Sequence, residues 1–456
     1  MPNTDKLISK LKEITGEAYV VQDPDQLNGL ALDGKRPKVI VSPGTIDEVS
    51  RIVGYANQKH VAIVPMGNRT KMGMGGIPKK IDVLLSTRRL NRMTDADCEN
   101  LTLSVESGIT LSEVQKSLAK EGRGYFLPLD PPFTEKATIG GIVATNSSGP
   151  KRLVYGTARD LITGIKSVFP NGDIVVSGGK TVKNVSGYDM CKLLIGSFGT
   201  LGIICEVTFK LLPLPEKEAT LWIPFATIDE ANGLVQEIAH SQLIPASMDI
   251  LNAMAVKKIK SSVSIPENGK YLVAIGLEGV AESIERQIAE VRDRGTKHGA
   301  LETVPVNSEK HRAFWIAVRD SSQGLAEADP NLISLKSTFL ISKCGEMLKS
   351  YEKIAQGLGV DCAFICHSGS GILYTYVLAG KKLRSKNGSL VQLIGELASE
   401  AVKNGGDLLV ESCPLPIKKR VDVWGQPRSD YRVMRRLKEE MDPAGILNPG
   451  RFVGGI

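Results

Sequence analysis

The sequence lacks features that several large classes of protein require. Its seven cysteines are scattered and no Cys-x-x-Cys occurs, so we expect no zinc site or iron–sulfur cluster held by this chain alone. Aromatic residues make up only 5% of the chain, and no long run of Lys or Arg accompanies the net charge of +7. Nucleic-acid binding is therefore not expected, because it depends on clustered basic residues.

Long apolar stretches are also missing. No run of 18 apolar residues occurs, which predicts that no segment spans a membrane. Residues 1–16 have no apolar core of signal-peptide length, so we expect a cytoplasmic protein with reduced cysteines. At 456 residues the chain is too long for one ordinary core, which predicts about two or three domains.

Glycine, by contrast, is in excess, with 46 residues against a usual share of about 7%. Residues 61–64 predict a buried strand that Pro65 ends, and four glycines follow within 67–76 together with Arg69. Because consecutive N–H groups in such a segment form an anion-binding concavity, the segment predicts a pyrophosphate cradle. A surface turn is the alternative. Neither G-x-G-x-x-G before a helix nor Gly-Lys-Ser/Thr occurs here, so the nucleotide site would be of a third kind.

The order of predicted elements indicates an α+β protein. Residues 38–122 predict a β-α-β-β-β-α series, with helix-capping boxes at Thr45 and Thr110. Residues 128–149 contain too many Gly, Pro, Ser and Thr for a regular element, and so predict a functional loop against which a flat ring lies. After Pro213, strands and helices alternate as in a ferredoxin-like antiparallel sheet with helices on one face.

Five segments in a fixed order resemble those of a known family. They are the strand and glycine loop at 61–76, T-I-G-G-I-V-A-T-N-S-S-G at 138–149, K-N-V-S-G-Y-D at 183–189, G-S-F-G-T-L-G-I-I at 196–204 and D-P-A-G-I-L-N-P-G-R-F at 442–452. The chain resembles the FAD-binding oxidoreductases of the vanillyl-alcohol oxidase superfamily, in the glycolate oxidase and D-lactate dehydrogenase branch. Its tail is most similar to that of the glycolate oxidase FAD-binding E subunits.

The resemblance implies a two-part PCMH-type FAD-binding domain and a ferredoxin-like antiparallel-sheet cap domain. It divides the chain into a lead-in at 1–36, the FAD-binding domain at 37–216, the cap or substrate domain at 217–415, and a segment at 416–456 that returns to the FAD domain. Family members often attach the flavin through His or Cys, but neither occurs in 65–78, so we expect non-covalent FAD. The expected cofactor-binding residues are Pro65, Met66, Gly67, Asn68, Arg69, Thr70, Gly73, Pro128, Asp130, Thr138, Gly140, Gly141, Asn146, Ser148, Gly149, Gly202, Ile203 and Asn448.

The substrate site departs from the family pattern. The hydroxy-acid dehydrogenases of this branch carry H-x-G-D-G-N-x-H and a later Glu-His-Gly, which hold a divalent metal. This chain has His367, Tyr374 and Glu411 followed by Ser412, and one histidine is too few for a metal, so we expect none. His367 is then either a general base, for which an imidazole is suited, or a core histidine.

Arg319 is the second expected catalytic residue. It matches a W-x-x-x-R pattern of the branch, and a guanidinium fork suits a substrate carboxylate. The alternative is an ion pair with Asp320. Tyr188 and Asp189 are expected to fix a turn.

The function that the resemblance implies is that of an FAD subunit in a multi-subunit oxidase or dehydrogenase for 2-hydroxy acids such as glycolate or D-lactate. The expected partners are the small 2-hydroxy acid, a second FAD subunit and an iron–sulfur subunit that passes electrons onward. One alternative is a structural or electron-relay flavin subunit without its own substrate turnover. Another is a self-contained oxidase that reduces O₂.

Overall fold

The computed structural model describes residues 4–97, 99–179, 189–259, 263–378, 380 and 383–456, without the side chains of 307, 308 and 383–387. Tyr188 and most of the 183–189 motif lie outside the described residues. The chain forms two compact units. Unit 1 comprises Met1–Ser148, Thr157–Pro213 and Gln426–Ile456, and unit 2 comprises Gly149–Gly156 and Leu214–Gly425.

Unit 1 is built on two main sheets. Its strands in chain order are β1 (Val20–Val21), β2 (Val39–Val41), β3 (Ile63–Met66), β4 (Val83–Ser86), β5 (Met93–Asp97), β6 (Thr102–Glu106), β7 (Tyr125–Phe126), β8 (Ile162–Val168), β9 (Ile174–Gly178), β10 (Ile203–Lys210) and β11 (Leu212–Pro213). The first sheet has the order β1-β2-β4-β3, with β2, β4 and β3 parallel. The second is antiparallel, in the order β5-β6-β10-β8-β9, and β7 pairs with β11.

Helices alternate with these strands and continue through unit 2. In chain order they are α1 (Thr4–Thr15), α2 (Pro24–Gly29), α3 (Ile46–Lys59), α4 (Leu111–Glu121), α5 (Ile139–Thr145), α6 (Arg152–Tyr155), α7 (Ala158–Leu161), α8 (Met190–Leu194), α9 (Ile228–Ala239), α10 (Ala253–Ile259), α11 (Ala281–Lys297), α12 (Ser308–Arg319), α13 (Ser321–Ala328), α14 (Cys344–Gly357), α15 (Leu383–Lys403), α16 (Leu415–Lys418) and α17 (Tyr431–Met441). None of these helices, as far as the structure describes them, is long and apolar enough to cross a bilayer.

The capping signals in the sequence mark the observed helix starts. At the start of α3 the Thr45 hydroxyl accepts a hydrogen bond from the Glu48 N–H at 3.2 Å. At the start of α4, Thr110 and Glu113 form the full capping box. Each such cap stabilises its helix by about 1 kcal/mol.

Two predictions about unit 1 were wrong. Pro65 does not end the strand, since β3 continues to Met66 and pairs Pro65 with Leu85 of β4. The loss of the proline N–H is tolerated because β3 is the last strand in the order of its sheet. The segment 128–149 is not irregular throughout, because α5 forms within it and buries Ile139, Ile142 and Val143.

Unit 2 is built on one antiparallel sheet. Its strands are β12 (Lys217–Phe225), β13 (Ser247–Asn252), β14 (Tyr271–Gly279), β15 (Val304–Asn307), β16 (Ile333–Thr338), β17 (Cys362–His367), β18 (Ile372–Val377) and β19 (Asp407–Ser412). They lie in the order β15-β12-β14-β13-β17-β18-β16-β19. Strands β12 to β19 were expected from the alternation of strands and helices after Pro213, whereas strand β5 of unit 1 and helix α10 of unit 2 were not predicted.

Helices cover both faces of this sheet, so the prediction of helices on one face was wrong. Successive residues of β12 point to opposite faces, and Leu221 and Ile223 pack in a core with residues of α9, α11, α14 and α15. Trp222 packs in a second core with residues of α10, α12 and α13. Because β12 is apolar on both faces, its sequence does not alternate as that of a half-exposed strand would.

Candidate functional site

Unit 1 contains a cavity with about 870 Å³ of empty space, including its mouth to solvent. That size falls in the usual range for small-molecule sites. Most of the predicted cofactor-binding residues line it, namely Pro65, Met66, Gly67, Asn68, Arg69, Thr70, Thr138, Gly140, Gly141, Gly202, Ile203 and Asn448. The fold thus brings four separate sequence segments to one cavity.

The floor of the cavity forms where two glycine segments come into close contact. A Cβ placed on Gly67 would lie 2.1 Å from the Thr138 hydroxyl oxygen, which caps the start of α5. A Cβ on Gly140 would lie 2.8 Å from the Ser107 Cβ. Only a residue without a side chain fits at either position, and the main chain is therefore left exposed toward the cavity. Such a backbone-lined concavity fits a flat ring system with an attached pyrophosphate.

Two polar side chains of the glycine loop, Asn68 and Arg69, line the cavity and are each held by a hydrogen bond to a main-chain carbonyl. Asn68 donates a hydrogen bond from Nδ2 to the Lys136 carbonyl oxygen at 2.9 Å. Arg69 has φ of +66°, is exposed, and donates from Nη2 to the Gly29 carbonyl oxygen at 3.3 Å. Arg69 lines the cavity and its partner in this contact is a neutral carbonyl, so turning the guanidinium toward an anion would cost one long hydrogen bond.

The C-terminal tail closes the cavity from the other side. The Asn448 side chain donates from Nδ2 to the Phe198 carbonyl oxygen at 2.6 Å, and Arg451 donates from Nη2 to the carbonyl oxygens of Met72 and Met74 at 2.6 Å. Burial lowers the pKa of the Arg451 guanidinium to about 10, which leaves it charged at neutral pH. The tail therefore fixes the end of the glycine loop and adds a buried cation to the cavity wall.

Six of the predicted cofactor residues lie outside this lining, and others were missed. Gly73, Pro128, Asp130, Asn146 and Ser148 belong to unit 1 but do not line the cavity, and Gly149 belongs to unit 2. Their predicted role stays a prediction. Lys71, Met72 and Ser147 line the cavity and lie between predicted cofactor residues, and the lining residues that were not predicted are Thr87, Pro132, Ala137, Ile142, Ala144, Thr145, Phe198, Gly199, Ile204 and Arg451. Arg451 could have been found, because it stands in the L-N-P-G-R tail motif.

A second group of polar side chains lies on one face of the unit 2 sheet. His367 of β17 stands opposite Asp249 of β13, and its Nδ1 lies 2.8 Å from Asp249 Oδ2. The ring of Tyr374 meets the imidazole edge-on, with centroids 5.2 Å apart. Lys336 of β16 stands opposite Tyr374 in the register, and its ammonium lies 6.0 Å from that ring. Lys336 was not predicted.

Burial and the contact with His367 have opposite effects on the carboxyl of Asp249. Asp249 is fully buried and His367 is 5% exposed. Burial raises the pKa of the Asp249 carboxyl above its ordinary value, and the contact with His367 offsets part of that rise. His367 is thus neither a surface residue nor an apolar core residue, and its environment suits a proton-transfer group.

Arg319 is engaged with its neighbour in the chain. Its Nη2 lies 2.7 Å from Asp320 Oδ2 and its Nε 3.2 Å from Oδ1, so both arms of the fork contact the carboxylate. This ion pair is the alternative that the sequence left open. To bind a substrate carboxylate, Arg319 would have to share its guanidinium with Asp320 or leave it.

A buried ion cluster lies elsewhere in unit 2. Glu278 Oε1 forms an ion pair with Lys151 Nζ at 2.5 Å and lies 3.5 Å from His311 Nε2, and Glu278 Oε2 accepts a hydrogen bond from the Tyr155 hydroxyl at 2.8 Å. Burial raises the pKa of Glu278, but His311, Lys151 and Tyr155 together outweigh it and lower the pKa to about 2. Glu218, Glu278 and His311 bring ligand-type atoms within 4.8 Å of one another. A metal ion there would have to displace Lys151, so we interpret the cluster as structural.

Glu278→Gln should lower the free energy of unfolding by about 3 kcal/mol at neutral pH, because it leaves the Lys151 ammonium without its buried partner charge. The folded-state pKa of about 2 lies below the ordinary 4.5, so the contribution is present above pH 4.5 and is lost as the pH falls toward 2. Urea unfolding of both proteins at several pH values measures this. A stability difference that does not shrink with acid would contradict the assignment.

Comparisons with known proteins identify the family to which both parts of the chain are similar. The family described as FAD binding domain matches residues 37–178, and the family described as FAD linked oxidases, C-terminal domain, matches residues 214–411 and 420–452. Glycolate oxidase subunit GlcD of Bacillus subtilis (strain 168) is 31% identical, over 91% of this chain and 89% of that protein. D-lactate dehydrogenase of Anaerostipes hadrus is 28% identical, over 98% and 97%.

A solved structure supports the fold. That of p-cresol methylhydroxylase with substrate bound has a TM-score of 0.77 to this chain, with 18% identity, and the match covers 98% of this chain and 96% of that one. At this identity the likeness concerns the fold alone. The predicted α+β fold of the PCMH type is confirmed.

Proposed function

Since the chain belongs to the FAD-linked oxidases, with FAD as its cofactor, we propose that it oxidises a 2-hydroxy acid of the glycolate or D-lactate type as the FAD subunit of a multi-subunit oxidase or dehydrogenase. Relatives named as a glycolate oxidase subunit and as D-lactate dehydrogenase support the substrate class. The observation that carries the proposal is the buried His367–Asp249 pair beside Tyr374 and Lys336.

Oxidation of a 2-hydroxy acid removes a proton from the hydroxyl and a hydride from the carbon. When bound, FAD supplies the acceptor for the two electrons. In our proposal His367 takes the hydroxyl proton on Nε2, since its Nδ1 faces Asp249. Lys336, whose ammonium lies 6.0 Å from the Tyr374 ring, and Arg319 are the cations that could bind the substrate carboxylate, and Arg319 would have to share its guanidinium with Asp320.

The metal-binding positions of the resembled dehydrogenases carry other residues here. His367 is retained, but Tyr374 and Ser412 replace the other histidines, and Tyr374 packs its ring against His367. In our proposal His367 removes the hydroxyl proton and a cationic side chain binds the substrate carboxylate, so no metal is needed for either step. Anaerobic mixing of the FAD-loaded chain with glycolate or D-lactate should therefore bleach the visible flavin band, and EDTA should leave the rate unchanged.

The same experiment separates the alternatives. If the isolated chain is not reduced by any hydroxy acid but its complex with partner subunits is, the chain is an electron-relay subunit. A self-contained oxidase would release peroxide in air without any partner. Reduction that EDTA abolishes and a divalent metal restores would contradict the metal-free mechanism.

We also propose that the flavin is held without a covalent bond. The segment 65–78 contains no His or Cys, the residues through which relatives of the resembled family attach the cofactor. Acid denaturation of the yellow protein should leave the flavin in the supernatant, where its absorbance is measured. Flavin that precipitates with the polypeptide would contradict this prediction.

The cysteines support our proposal about the partners. Among the described residues Cys191, Cys205, Cys344, Cys362 and Cys366 are buried and reduced, and none belongs to a Cys-x-x-Cys. An onward electron path would therefore use an iron–sulfur subunit, with a second FAD subunit as the other expected partner. Co-purification from the native source would test both. The cytoplasmic location stays a prediction.

A further inference from the structure

We propose that Asp249 is a positioning residue that holds the imidazole of His367 in one tautomer, with its proton on Nδ1 and its Nε2 lone pair available to the substrate. The inference rests on the proposed function, in which His367 is the base. It adds a residue that neither the sequence motifs nor the comparisons singled out. The two residues are 118 positions apart in the chain.

The main chain fixes this pair. Asp249 and His367 are direct partners in the antiparallel register of β13 and β17, between Ile250–Cys366 on one side and the end of the ladder on the other. The Ser368 hydroxyl donates to the Met248 carbonyl oxygen at 2.8 Å, which ties the residue after His367 to the residue before Asp249. The pairing of β13 with β17 therefore brings the two side chains together, and the hydrogen bond from Ser368 to Met248 helps to fix the register of the two strands.

The contact has the geometry of a strong hydrogen bond. The Nδ1–Oδ2 distance of 2.8 Å is typical of a charge-assisted N–H···O bond. The exposed fractions of the side chains are 6% for His367 and 1% for Asp249, so water does not compete for the bond. In the direction that we propose, Nδ1–H donates and the carboxylate accepts, which leaves Nε2 without a proton in the neutral ring.

The alternative is that Asp249 only fills the core, and its bonding argues against that. A buried carboxyl needs partners for both oxygens, yet Oδ1 has no hydrogen-bond partner among the described residues. The residue opposite on β14 is Ala274, which offers no polar side chain. An apolar pair would be at least as stable at this place, so the carboxyl is explained by what it does to His367.

The ring is also held on its other side. Tyr374 contacts the imidazole at an interplanar angle of 67°, edge to face. Rotating the imidazole to exchange its two nitrogens would break the bond to Asp249 and leave a buried carboxylate unpaired. Asp249 and Tyr374 together therefore fix which nitrogen can meet a substrate. The hydrogen bond to Asp249 sets the tautomer of the imidazole, and Asp249 and Tyr374 together set the plane of its ring.

Nitrogen NMR of the whole FAD-loaded chain tests the proposal directly. The chain has only five histidines, so ¹⁵N-histidine labelling gives a simple spectrum, and His367→Ala identifies the signals of His367. We expect protonated Nδ1 and unprotonated Nε2 in the unaltered protein. Asp249→Asn can donate its amide N–H to Nδ1, so the proton should move to Nε2. Glu278→Gln, which removes a different buried carboxyl of unit 2, should leave the His367 signals in place.

Kinetics give the second readout. Asp249→Asn should lower the limiting rate of flavin reduction by about a hundredfold or more, as a wrong tautomer does in other His–Asp pairs, while the substrate concentration for half-maximal rate changes only a few-fold. Asp249→Glu, which keeps the acceptor, should recover part of the rate. If Asp249 had only a structural role, both variants would lower the thermal midpoint, and their flavin-reduction rates would not follow the order unaltered protein, Asp249→Glu, Asp249→Asn.

Two results would overturn the proposal: a proton on Nε2 in the unaltered protein, or an Asn variant that keeps both the tautomer and the rate. The spectrum of the unaltered protein decides even if a variant does not fold. Failure of the proposed function looks different. If no hydroxy acid reduces the flavin of the unaltered chain or its complex, the proposed reaction fails, while the nitrogen spectrum still supports or overturns the role of Asp249.

Discussion

His367→Ala should lower the rate at which a 2-hydroxy acid reduces the bound flavin by at least about a hundredfold, with the flavin still bound. Loss of a general base typically costs 10²–10⁴-fold in rate. The cofactor cavity is lined only by residues of unit 1, so the substitution removes none of its lining. Stopped-flow absorbance under anaerobic conditions gives the rate, and the flavin-to-protein absorbance ratio gives the occupancy.

Two further variants make that result interpretable. His367→Gln keeps an N–H that can donate to Asp249 but has no basic nitrogen, so it should lose the rate while retaining more stability than the alanine variant. His240→Ala removes an exposed histidine of the same unit and should change neither. A rate within a few-fold of the unaltered protein in both His367 variants would make His367 a core residue and place the base elsewhere.

Gly67→Ala should weaken FAD binding by roughly five- to two-hundredfold. The new Cβ would lie 2.1 Å from the Thr138 hydroxyl oxygen and 2.9 Å from its Cγ2, so the glycine loop or the start of α5 must move. Because threonine is branched at Cβ, it cannot turn both groups away. Forced repacking of this kind costs about 1–3 kcal/mol, which corresponds to roughly a five- to two-hundredfold change in affinity.

The matched control lies six positions further along the same loop. Gly73 has nothing within 4 Å of an added Cβ and no positive φ, and alanine would keep any contact that the Gly73 main chain makes with FAD, so Gly73→Ala should bind FAD as the unaltered protein does. Titration of the apoproteins with FAD, followed by flavin fluorescence, measures both dissociation constants. Circular dichroism checks that the Gly67 variant is folded. Equal affinity in the two variants would mean that the contact between Gly67 and Thr138 does not shape the site.

The sequence by itself determined the features that depend on neighbouring residues. Helix starts at Thr45 and Thr110 were predictable because a cap joins a side chain to an N–H three residues on. The glycine loop was predictable because its composition constrains the backbone locally. The family was predictable from short motifs that occur in a fixed order along the chain, and most of the residues that those motifs proposed for FAD line one cavity.

The short helix α5 and the end of strand β3 could not be predicted from neighbouring residues. Helix α5 has glycines at its second and third positions, which favour an irregular segment, yet it forms because Ile139, Ile142 and Val143 pack into the core. Pro65 predicted a strand end, and its tolerance depends on the place of β3 in the sheet order. In α5 packing outweighed the low helix propensity of glycine, which is about 1 kcal/mol per residue, and in β3 the edge position removed the need for the missing proline N–H.

Only the tertiary structure decided the contacts that join distant segments. Arg451 reaches the Met74 carbonyl across 377 residues, and Asp249 reaches His367 across 118. No pattern of residues in the sequence predicts either contact. The register of the paired strands and the path of the tail depend on which faces of the sheets and helices are buried in the folded protein. The chain therefore carries its cofactor loop as a local motif, while the residue that orients its proposed base exists only once β13 and β17 have paired.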